Sequence, residues 1–139
     1  MRIVLDTNVV VSGLLWRNTP YRLLQRAVDD EAIELFSSPA LLGELAEVLG
    51  RAHLAAKIEA HTSSVEALIA LYGTAVQLVS PAAPPPRIAP DPDDDEAIAC
   101  ALAAGAKLLV TGDRTLLALK QHQDVEIVTP AQALQRLAA

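Results

Sequence analysis

The chain has 139 residues, enough to bury a core, and 52% of them are hydrophobic, which excludes disorder of the whole chain. Seventeen acidic residues against 11 basic ones give a formal net charge of -6, which excludes a broad basic surface for nucleic acid; such a partner would be met locally, with a metal ion supplying part of the positive charge. Its one cysteine, Cys100, cannot close an intramolecular disulfide, no apolar run approaches the roughly 18 residues that span a bilayer, and Met1-Arg2 leads straight into an apolar run without signal-peptide character, so a cytoplasmic protein is expected.

Ile3, Val4 and Leu5 do not alternate with polar residues, as in a strand covered on both faces, and the run stops at Asp6. Residues 7–15 read as a turn and a short helix. Pro20 opens a helix to about Asp30 with Leu23, Leu24, Ala27 and Val28 as its apolar stripe. IELFSS (33–38) reads as a strand, and Pro39 begins a helix with Ser38 as N-cap and Leu41, Leu42, Leu45, Val48 and Leu49 inward. Residues 51–73 read as two helices broken near His61, Thr62 and Ser63, and AVQLV (75–79) as a third strand. In SPAAPPPRIAPDP (80–92) the prolines forbid regular structure, so this stretch reads as a crossover loop. DDDEAIACALAAG is a helix ended by Gly105, with Cys100 as a small buried residue. KLLVTGD (107–113) is a strand ending in a second acid, 114–121 are helical, VEIV (125–128) is a strand, and Pro130 starts a last helix.

Strands alternating with helices specify an α/β fold with a mostly parallel sheet. In such sheets ligands sit outside the carboxyl ends of the strands, where Asp6 and Asp113 both fall. Either acid would also serve as an ordinary N-cap for the helix that follows it.

The run DPDDDE holds Asp91, Asp93, Asp94, Asp95 and Glu96. Acids favour a first helical turn, and Asp93 with Glu96 fits a capping box, but one helix start does not need five of them. An EF-hand loop fails, because Glu96 takes the place of the glycine and Leu102 that of the bidentate glutamate. In SPALLGELAEVLG, Glu44 lies at the border of the buried stripe made by Leu41, Leu45 and Val48, whereas Glu47 faces Ala40, Gly43 and Gly50. Carboxylates drawn from four such elements suit Mg²⁺ or Mn²⁺, hard cations that take oxygen ligands and keep several waters. His53, His61 and His122 fit no metal-ligand spacing and read as surface residues.

The blocks LDTNVVVSGLL, SPALLGELAEVL, DPDDDEAIACALAAGA and LVTGDRTLL, in that order, resemble the PIN-domain family, and most of all its branch of toxins from toxin–antitoxin pairs, related to VapC-type ribonucleases. The resemblance covers nearly the whole chain. It implies one PIN-like domain over residues 1–139, a three-layer α/β/α sandwich, and metal-dependent hydrolysis of RNA in which a metal-activated water attacks the phosphodiester. Carried over by motif, it assigns catalysis and Mg²⁺ or Mn²⁺ binding to Asp6, Glu44, Asp94 and Asp113. Asp95 stands where relatives often carry Asn, so it is implied as an auxiliary ligand and Asp94 is favoured over it. Thr7 and Asn8 would orient Asp6 or a water, and Thr111 would do so from the other strand. The implied partners are an RNA substrate, an antitoxin protein and a second copy of the chain in a homodimer. The basic residues are scattered, and Trp16 and Arg17, after the first motif, either flank the site or pack.

Two other readings compete. One is a non-catalytic binding module on the same fold. The other is a phosphotransferase with Asp6 as nucleophile, although Asn8 stands where such enzymes usually place a second acid.

Overall fold

A computed structural model describes residues 1–61, 63–81 and 92–138, the side chains of 92 and 93 excepted. Most of the proline-rich crossover, with Asp91 and the side chain of Asp93, lies outside the described residues.

Six strands form one sheet in the order β3-β2-β1-β4-β6-β5. They are β1 (Arg2–Leu5), β2 (Glu34–Ser37), β3 (Val76–Leu78), β4 (Leu108–Val110), β5 (Gln121–His122) and β6 (Val125–Val128). All neighbours pair in parallel except β5 with β6, which are antiparallel. Because β1 lies inside the sheet, both its faces must be covered, and its unbroken apolar run follows from that. Ile3 and Leu5 join one core cluster with Leu35, Leu108 and Val110. Val4 points to the other face, with Phe36, Leu109 and Ile127.

The first face carries α1 (Thr7–Leu15), α2 (Thr19–Asp29), most of α3 (Pro39–Leu49), α4 (Ala55–Ala60), α5 (Val65–Ala75) and α8 (Pro130–Ala138). The second carries α6 (Pro92–Ala104) and α7 (Arg114–Leu119). This is the three-layer α/β/α arrangement the sequence led us to expect. Helix starts follow capping chemistry: Asn18 Oδ1 accepts from Tyr21 N and Ser38 Oγ from Leu41 N, each with proline in the first turn. At the end of α6, Gly105 has φ +62°, Gly105 N donates to Leu102 O and Ala106 N to Ala101 O, so the helix stops in a Schellman turn that needs glycine.

Two expectations change. Residues 114–121 are not one helix: α7 ends at Leu119, Lys120 turns the chain with φ 61°, and Gln121–His122 pairs with β6. Polar residues gave no strand signal there; the pairing partner supplies it. The segment after α3 also begins with a 3-10 turn, Ala52–Leu54, before α4 and α5. Among the described residues no helix is long and apolar enough to cross a membrane.

Two buried groups make the packing testable. Tyr72 is almost wholly buried, burial pushes its phenol pKa upward, with the nearby Cys100 adding to the effect, and among the described residues its hydroxyl has no hydrogen-bond partner. An unsatisfied buried hydroxyl costs about 1–3 kcal/mol, so Tyr72→Phe is expected to leave the urea midpoint unchanged or raise it. A fall of the midpoint would show that the hydroxyl is bonded. Burial pushes the Cys100 thiol from an ordinary 9.0 up to about 11, opposed by a hydrogen bond from Ser38 and reinforced by Glu96. The folded thiol therefore keeps its proton where the unfolded one loses it. Its contribution to stability is full below pH 9 and declines toward pH 11. Urea midpoints at pH 8 and pH 10.5 are expected to differ less in Cys100→Ala than in the parent.

Candidate metal centre at the carboxyl edge of the sheet

Asp6 follows β1 directly, and its backbone N donates to Val110 O at 2.8 Å, continuing the β1–β4 ladder by one residue. The residue is only 5% exposed. Thr7 N donates to Asp6 Oδ1 (2.9 Å), which is the N-cap of α1. Across the ladder, Thr111 Oγ1 donates to Asp6 Oδ2 at 2.7 Å. The same Thr111 oxygen accepts from Asp113 N at 3.0 Å. Thr111 is thus a relay between two acids: its proton goes to one carboxylate and its lone pair fixes the backbone of the other. The chain leaves strand geometry after Val110, so 111–113 form the site and not the strand end expected from KLLVTGD.

Asp113 caps α7. Its Oδ1 accepts from Thr115 N (2.7 Å) and Leu116 N (3.2 Å), while Oδ2 takes no part in the cap. Both strand-end acids therefore do the capping that local chemistry asks, and both still stand at one edge of the sheet. The two roles are compatible, because a carboxylate has two oxygens.

The acids of α6 reach this edge through a length match. Arg2, at the start of β1, donates from Nη1 to Ala104 O (2.9 Å) and lies over the Phe36 ring, pinning the end of α6 to the start of the sheet. From Arg2 to Asp6 the strand rises about 13 Å. From Ala104 back to Asp94 and Asp95 the helix rises about 14–15 Å. The first turn of α6 thus lies level with Asp6, and Asp94 and Asp95 are both buried there, each 6% exposed. Equal burial does not single out one of them. Glu44 lies half-buried on α3, which packs against both α1 and α6. Glu47 is exposed, as its apolar-poor face required.

Thr7 is buried, and among the described residues its Oγ1 has no hydrogen-bond partner. Asn8 is exposed instead. Of the histidines, His61 is exposed overall yet its Nε2 contacts Leu15 O at 3.0 Å, a tertiary tie that its sequence neighbourhood did not reveal. Among the described residues, no three His, Cys, Asp or Glu side chains are close enough to form a ready metal cluster. The donor chemistry nevertheless fits a hard divalent ion. Buried carboxylates are costly without compensation, and Mg²⁺ binds through one or two of them and otherwise through waters. A buried hydroxyl lacking a partner, beside Asp6, suits the outer face of such a water shell.

Residues 2–115 match the sequence profile described as PIN domain. The fold is also similar to a chain in the crystal structure of VapBC2 from Rickettsia felis bound to a DNA fragment from their promoter, with a TM-score of 0.62 and 16% identity over 91% of this chain and 97% of that one. No curated protein matches the sequence.

The relay makes a prediction. Thr111→Val keeps the shape but removes both hydrogen bonds, so a loss of about 1–3 kcal/mol in unfolding free energy is expected. Thr111→Ser should recover most of it. Equal urea curves for Thr111→Val and parent would rule out the bond to Asp6.

Proposed function

The chain belongs to the PIN-domain family, and from that premise we propose that it is a Mg²⁺- or Mn²⁺-dependent endoribonuclease restrained by a protein partner, the toxin of a toxin–antitoxin pair. The observation that carries the reading is the buried Asp6 carboxylate, clamped from the neighbouring strand by Thr111. That carboxylate stands just past the carboxyl end of β1 in a parallel sheet, the edge at which ligands bind in such folds.

Asp6, Glu44, Asp94 and Asp113 would hold the ion, with Asp95 as an auxiliary ligand. A divalent cation there supplies Lewis acidity, making water a better nucleophile and stabilising the leaving oxygen of a phosphodiester. The chain's own residues orient. Thr111 commits its proton to Asp6 Oδ2 and so fixes the carboxylate plane, while Thr7 N holds Oδ1. With its proton so committed and its oxygen accepting from Asp113 N, Thr111 serves as a positioning residue and not as a nucleophile. Asp113 Oδ1 is occupied by the α7 cap, which leaves Oδ2 to face an ion. Asn8, where a phosphotransferase would put its second acid, is exposed, which disfavours the phosphoaspartate reading. The protein partner is supported by the two-component VapBC2 complex with which the fold is shared.

The test is cleavage of single-stranded RNA by purified chain with Mg²⁺, with Mn²⁺ and with chelator. Cleavage is expected only with metal, and Asp6→Asn and Asp94→Asn should each reduce it by at least about 100-fold, as expected when a group stabilising the transition state is removed. Cleavage by Asp6→Asn equal to the parent would assign the activity to a contaminant. Weak or absent Mn²⁺ binding by calorimetry, together with no cleavage, would favour the binding-module reading.

A further inference from the structure

The acidic site explains where a phosphodiester would be cut but not how a chain of net charge -6 would hold a polyanion. The chain has four aromatic residues, Trp16, Tyr21, Phe36 and Tyr72, of which Phe36 and Tyr72 are buried. The other two reach the surface, and both have a cation over the ring. Lys57 Nζ lies 5.4 Å from the centroid of Trp16, and Arg17 Cζ lies 5.3 Å from that of Tyr21. Trp16 is 41% exposed, unusual for the largest side chain in a protein with so few aromatics.

Secondary structure builds this patch. Trp16 is the C-cap of α1, and Arg17 precedes Asn18, the N-cap of α2, with Tyr21 in the first turn. Lys57 and His61 stand four residues apart on one side of α4. His61 Nε2 meets Leu15 O, the carbonyl just before Trp16, while Leu54 and Ile58 are buried below. That docking places Lys57 over the indole. Among the described residues the ion pairs are Arg26 with Asp30 and Arg136 with Glu126; Arg17 and Lys57 are in neither. Among the described residues neither cation is therefore held in an ion pair.

We propose that Trp16, Lys57, Arg17 and Tyr21 form a contact surface for single-stranded RNA, the bases stacking on the rings and the backbone phosphates meeting the two cations. This rests on the ribonuclease reading for the identity of the strand. Rings interleaved with unpaired cations are how sequence-tolerant single-strand binding is built. The patch connects rigidly to the cleavage site: Asp6 caps one end of α1 and Trp16 the other, about 14 Å apart along nine residues. One strand of several nucleotides reaches both.

Trp16 is the only tryptophan, so its emission reports this surface alone. The unmodified chain, held in chelator to prevent metal-dependent cleavage, is titrated with a single-stranded 12-mer oligoadenylate, an RNA duplex of equal length, and an oligoglutamate peptide. Binding is followed in parallel by anisotropy of labelled RNA. Saturable quenching by the single strand is expected, weaker with the duplex and absent with the peptide. Trp16→Ala should weaken binding about 5- to 100-fold, as for loss of one stacking ring. Lys57→Gln should flatten the slope of log affinity against log salt by about 0.7. RNA binding by anisotropy with unchanged Trp16 emission, or no RNA binding, overturns the proposal. Equal quenching by oligoglutamate overturns it in favour of an acidic protein segment. Quenching by RNA in a chain that never cleaves it would sustain this surface and defeat the nuclease reading, whereas cleavage with a silent Trp16 would do the reverse.

Discussion

A carboxylate as deeply placed as that of Asp6 must be held by donors, and the hydroxyl of Thr111 reaches it from the neighbouring strand. That single bond crosses the β1–β4 pairing at the point where both strands end. It depends on register: Leu5 aligned with Val110 brings residue 6 opposite residue 111. A slip of one residue would turn the hydroxyl to the other face of the sheet and leave the acid buried without it. The register in turn depends on the two-sided core, in which Ile3 and Leu5 face one helical layer and Val4 the other.

The remaining site residues are positioned by the same sheet through different mechanics. Asp113 is fixed by the cap it forms on α7 and by the backbone bond to Thr111. Asp94 and Asp95 are fixed by helix length, because Arg2 anchors the far end of α6 against β1. Glu44 is delivered by α3, which Ser38 starts at the end of β2. The candidate acids thus come from four separate helices or helix caps, although the start of α6 itself concentrates several like charges. Local capping and the proposed chemistry do not compete here; capping orients the carboxylates that the chemistry would use.

Net charge and substrate charge have the same sign under the proposed function, which therefore divides the problem in two. Cutting would fall to the acids of the sheet edge, neutralised by a divalent ion. Holding is assigned to an exposed surface where cations rest on aromatic faces and not on carboxylates. Helix α1 links the two as a rigid spacer, with its N-terminus in the first and its C-terminus in the second.

The sequence by itself determined the α/β class, most strand and helix positions and the N-caps at Asp6, Ser38 and Asp113, because apolar periodicity, proline and capping residues act over a few neighbours. It also placed Asp6 and Asp113 at the carboxyl side of two strands, although the second strand stops at Val110 and Asp113 caps the helix beyond it. Only the tertiary structure decided what depends on contacts distant along the chain. Thr111 is tied to Asp6 across 105 positions, and His61 to Leu15 across 46. The strand Gln121–His122 has no apolar pattern and exists through its pairing with β6. Trp16 read equally as packed or as flanking a site, since the helix α4 that leaves it exposed and sets Lys57 above it lies some 40 residues further on. Local rules fix what each segment becomes, and packing fixes which side chains from different segments meet.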